Sequence, residues 1–68
     1  MLSLNSYQIQ LEILMQKYLE IKHERMNALK AELSTDPQQL ISALVAVQSA
    51  TDDEMAKAIA ILKSQFGL

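Results

Sequence analysis

The apolar residues of the first half of the chain fall on one side of a helix. Leu4, Tyr7, Leu11, Leu14, Tyr18 and Ile21 follow 3-4-3-4-3 spacing, a seam of about two and a half heptads. The register fails at Arg25, which takes the next seam position, and the apolar line moves to Met26, Leu29 and Leu33. Nothing between Ser6 and Leu33 breaks a helix, so one helix is expected over about 6–33, capped by Ser3 or Ser6, with residues 1–5 as a loose start. On the side opposite the seam, Ile9 and Ile13 stack at i and i+4 beside Gln8, Gln10 and Gln16. This pair suggests a second contact surface; the plainer reading is two apolar side chains that happen to face water.

The stretch Ser34-Thr35-Asp36-Pro37-Gln38-Gln39 stops that helix and starts another. Asp36 is placed to accept hydrogen bonds from the free backbone N–H groups of a new helix. Pro37 then occupies the first helical position, where its missing N–H costs nothing. Gln39, three residues after Asp36, is placed to reach back as in a capping box. Proline also disfavours the α region for the residue before it, so the first helix ends by about Thr35.

The second half admits two readings. Leu40, Leu44, Val47, Thr51, Met55, Ala58 and Leu62 form one stripe at 4-3-4-4-3-4 spacing, which requires a helix that is continuous or only kinked. Ile41 and Val45 widen the stripe, and Ile59 and Phe66 extend it. Against this, Thr51 with Glu54 is a capping-box pattern followed by acids suited to a helix start, which signals a new helix at about 52. The expected fold is all-α: an antiparallel helical hairpin whose second arm is kinked or broken near 49–52, as helices of about 37–49 and 52–66. The alternative is a compact three-helix bundle. An isolated hairpin leaves both stripes half covered, so association into a larger helical bundle is expected.

Composition narrows the choice. Sixty-eight residues make one small domain, whose core supplies about 3–5 kcal/mol at best. Half the residues are apolar, yet there is one glycine and no cysteine, which disfavours a sheet protein and excludes disulfides and thiolate metal sites. The net charge is −2, and neither half has a basic footprint, so neither nucleic acid nor an anionic membrane is an expected partner. No apolar run approaches the length needed to insert in a bilayer, and the N-terminus lacks a signal-peptide pattern; the cytoplasm is the expected location.

Candidate chemistry is sparse. Glu20-x-x-His23 matches half of a carboxylate-bridged di-metal site, but both residues point away from the seam, beside Glu24 and Asn27. Asp52-Asp53-Glu54 lacks the alternation and glycine of a calcium loop. There is no phosphate-binding glycine loop and no nucleophile–base–orienter set. The expectation is therefore a non-enzymatic protein with no catalytic residue, metal, cofactor or small-molecule substrate.

A protein–protein interaction or oligomerisation module is the function that fits best. It would bind itself, as a dimer or larger, or a helical partner, through apolar helix faces. Candidate interface residues are Leu4, Tyr7, Ile9, Leu11, Ile13, Leu14 and Tyr18; Asp36, Pro37, Gln39, Thr51 and Glu54 are candidate helix caps. A second reading is a small chaperone or a structural subunit of a secretion or filament apparatus. Asp36-Pro37 followed by Leu40 and Gln48 loosely resembles the needle subunits of type III secretion, helical hairpins with a proline-containing turn. That likeness covers the turn and a few spacings, and the first helix departs from the family's pattern. A DNA-binding regulator is disfavoured, because its reading helix would begin with three acids and offer only Lys57 and Lys63 to phosphates.

Overall fold

The computed structural model describes residues 3–68 and contains two helices, α1 over Leu4–Glu32 and α2 over Pro37–Gln65, packed antiparallel as a hairpin. Among the described residues there is no strand. The shape is a slab of 53 × 15 × 10 Å with a radius of gyration of 15.6 Å. A compact chain of this length would have a radius of roughly 11 Å, so the fold is elongated.

α1 begins earlier than expected. The Ser3 hydroxyl accepts from the Ser6 N–H at 3.1 Å, and Leu4 and Asn5 are already helical. Met1 and Leu2, the rest of the expected loose start, lie outside the described residues. At its far end the Leu33 N–H donates to the Leu29 carbonyl at 2.8 Å, and residues 33–35 form the turn.

The turn is local chemistry. The Asp36 N–H donates to the Leu33 carbonyl at 3.2 Å, and Asp36 Oδ1 accepts from the Gln39 N–H at 3.1 Å. Asp36 is non-helical, with φ −130° and ψ 89°, as a residue before proline should be, and Pro37 opens α2. α2 ends in a Schellman motif: the Gly67 N–H donates to Ser64 O at 3.1 Å and the Leu68 N–H to Lys63 O at 2.8 Å. Gly67 has φ +73°, a left-handed conformation that any other residue would adopt under strain.

The second arm has no break near 49–52, and there is no third helix among the described residues. Thr51 sits in mid-helix, where its hydroxyl donates to the Val47 carbonyl at 2.8 Å. That bond to the preceding turn is compatible with a continuous helix, whereas a cap requires free N–H groups. The unbroken phase of the stripe outweighs the local cap signal.

Each arm buries the stripe its spacing marks out, but only partly. Leu11, Leu14, Tyr18, Ile21, Met26, Leu29 and Leu33 of the first arm are half-buried, as are Leu40, Leu44, Val47, Met55 and Ala58 of the second. Among the described residues only Tyr7, at 9% exposure, Leu62, at 7%, and Thr51, at 1%, are buried. The accessible surface is 5147 Å², against roughly 4300 Å² for a compact monomer of this mass.

Candidate functional site

The middle of the hairpin carries a polar cluster built from two irregularities in the apolar pattern. Arg25 interrupts the seam of α1, and Thr51 is the one polar member of the α2 stripe. Arg25 Nη1 donates to Thr51 Oγ1 at 3.0 Å. The same guanidinium holds Glu54 with two bonds, Nη1 to Oε1 at 3.0 Å and Nη2 to Oε2 at 3.3 Å, the paired geometry that arginine and carboxylate favour. The Arg25 hydrogen bond is the main reason the Glu54 carboxyl titrates below its ordinary range; the same bond raises the pKa of Arg25. On the other flank Lys22 Nζ lies 2.8 Å from Asp52 Oδ1. The Thr51 hydroxyl thus donates to Val47 and accepts from Arg25, so the most deeply buried polar side chain among the described residues is satisfied.

A groove runs along each side of the contact between the arms. One, of about 460 Å³, is lined by Met15, Tyr18, Leu19, Thr51 and Met55, with Glu12, Lys22 and Asp52 at its rim. The other, of about 540 Å³, is lined by Ile13, Leu14, Ala58, Ile61 and Leu62, with Gln10, Lys17 and Gln65 at its edges. The walls are mostly aliphatic, which suits an apolar side chain or another helix face. Among the described residues no three His, Cys, Asp or Glu side chains group as a metal site, and His23 is exposed. Thr51 is a poor nucleophile here: its proton is bound to Val47 and no base contacts it.

The seven candidate interface residues separate into two sets. Tyr7, Leu11, Leu14 and Tyr18 lie along the seam turned to α2. Tyr7 meets the Phe66 ring, Leu14 shares a groove with Leu62, and Tyr18 shares one with Met55. Leu4, Ile9 and Ile13 are exposed. Of the candidate caps, Asp36, Pro37 and Gln39 act at the start of α2, though Gln39 takes part through its backbone N–H. Thr51 and Glu54 cap nothing: their side chains are the α2 half of the Arg25 cluster.

Five further large apolar residues are exposed: Met15, Leu19 and Ile61, and also Ile41 and Val45, which the spacing placed at the margin of the α2 stripe. A signal for four of them does exist. Leu19 and Met15 precede Met26 by seven and eleven residues, and Val45 and Ile41 precede Asp52 by the same intervals. Seven and eleven residues are close to whole numbers of helical turns, so each set shares a side. Compared with known proteins, the chain matches no family model, no curated protein and no solved structure.

Proposed function

We propose that this chain is a helical interaction module that associates with itself through apolar helix faces. The observation that carries the reading is the mismatch between what is buried and what is left out. The described residues bury two apolar side chains and one threonine, while nine large apolar side chains stay exposed. Scattered exposed apolar residues are ordinary, but here they outnumber the core that should hold the fold together. Covering them with further helices is the usual way a two-helix unit gains stability. The balanced charge of α1 and the small net charge of −2 put little repulsion in the way of association.

Sedimentation equilibrium over a wide concentration range tests this. The expected mass is at least twice the 7.6 kDa of one chain, reached as the concentration rises. A well-folded monomer at every concentration would remove the reading.

A further inference from the structure

The two broad sides of the hairpin differ, and the difference points to how a second copy docks. One side is the groove of Met15, Leu19 and Met55 extended toward the turn. Met26 continues the line of Met15 and Leu19 on α1; Val45 and Ile41 continue the line of Asp52 on α2, by the seven- and eleven-residue intervals above. Met15 and Leu19 are 46% and 47% exposed, and Ile41 and Val45 both 63%. The opposite side has a groove of its own between Ile13 and Ile61, with Gln10, Lys17 and Gln65 at its edges; it carries two exposed large apolar side chains where the first side carries four.

Area and charge identify the occupant. The broad face measures 53 × 15 Å, so it offers roughly 800 Å², the amount each partner contributes to an ordinary stable interface. Near the middle of this face Lys22 and Asp52 bridge the groove. A two-fold axis parallel to the hairpin's length lays α1 of one copy over α2 of the other. That places Lys22 over Asp52 of the second copy, and Asp52 over its Lys22, so two ion pairs become a mutually attractive square. A two-fold axis across the hairpin at the level of this pair instead lays α1 over α1, setting lysine against lysine and aspartate against aspartate. Opposed like charges disfavour that arrangement. The lengthwise axis also brings each apolar level onto an apolar level: Met15 and Leu19 onto Met55 and Ile59, and Val45 onto Met26.

The geometry points to a two-fold dimer docked through the Met15–Leu19–Val45 face, with both Asp36-Pro37 turns at the same end. The result is a four-helix bundle in which every neighbouring pair of helices is antiparallel. This inference rests on the self-association reading and adds its face and orientation.

The test has two arms, both on the full chain. Met15→Lys with Leu19→Lys should halve the mass seen by sedimentation while circular dichroism at high concentration still shows helix, because both side chains already reach water. Ile13→Lys with Ile61→Lys, on the opposite side, should leave the mass unchanged. Since the chain has no cysteine, Thr35→Cys gives one thiol per copy, at the turn. A short bifunctional maleimide should then link the two copies in high yield at low micromolar concentration. With the turns at opposite ends, the thiols would lie about the 53 Å length of the hairpin apart, and no link would form. A wild-type monomer would sink both this inference and the self-association reading. An oligomer that survives the Met15 and Leu19 substitutions, or dissociates with those at Ile13 and Ile61, would keep self-association and overturn the face. An oligomer that does not cross-link at Thr35→Cys would overturn the orientation. Should the double lysine variant fail to fold, the cross-link and the Ile13/Ile61 pair still decide.

Discussion

At the open end of the hairpin Tyr7 meets Phe66 edge to face, with ring centroids 5.5 Å apart and planes at 64°, one turn from the buried Leu62. At the middle, Arg25, Thr51 and Glu54 hold the arms by directional bonds around a hydroxyl that is 1% exposed. Apolar contacts such as the first are strong but forgiving: a slide of one helical turn would still set apolar side chains against apolar side chains. The second contact is not forgiving. The same slide would put Val47 or Met55 opposite Arg25 and leave the guanidinium without Thr51. The open end supplies energy, and the middle selects the register, the role that a lone polar residue plays in a coiled-coil seam.

The comparison is broken most directly by Leu62→Ala. The side chain is buried, and its loss should cost about 2–3 kcal/mol, in the lower part of the range for core leucines because one wall of the site is an open groove. Chemical denaturation measures it; a loss below about 1 kcal/mol would mean that the open end does not carry the stability.

A smaller effect should follow from Thr51→Val, which keeps the shape and removes the hydroxyl. Stability should stay within about 1 kcal/mol, since Arg25 is near solvent and keeps Glu54. The expected change is in uniqueness: amide signals for residues 47–55 should broaden or double as neighbouring registers become populated. A single sharp set of signals with a loss above about 2 kcal/mol would make the threonine an energetic residue instead.

The smallest effect concerns pH. Arg25 holds the Glu54 carboxyl below its ordinary range, so the folded state binds that proton less readily than the unfolded one. The pair's contribution is therefore fully present above about pH 4.3, the ordinary glutamate value, and is lost as pH falls through the lower folded value. The group is exposed, so the change is small. Acid titration of thermal melts should show this loss reduced in Glu54→Gln; identical acid limbs in the two proteins would mean that the pair adds no stability.

Most of the fold was legible along the chain because its strongest signals are local or periodic. Asp36 and Pro37 end one helix and begin the next with their own atoms, and the stripe from Leu40 to Leu62 keeps its phase through Thr51. What misled was Thr51-x-x-Glu54, a pattern whose meaning depends on whether the N–H groups beside it are free. In an unbroken helix they are not, and the two side chains turn to Arg25 from the other arm. The displaced seam position at Arg25 and the polar stripe position at Thr51 were each visible; that they meet depends on the pairing of the arms. The candidate site was less legible for a similar reason. The four exposed residues on the proposed docking face fit a broad buried stripe as well as a free face, and only the width of the covering arm distinguishes the two.

Pro37 also decides which chain supplies the second arm. If helix formers filled the turn, α1 and α2 would fuse into one rod of about 90 Å. Such a rod could not fold back on itself, and its stripes would be covered only by another rod. Two copies would then trade arms, and association would become a condition of folding. By forcing Asp36 out of the helical region, the proline keeps both arms within one molecule. In the proposed dimer, copies would then exchange without either having to unfold.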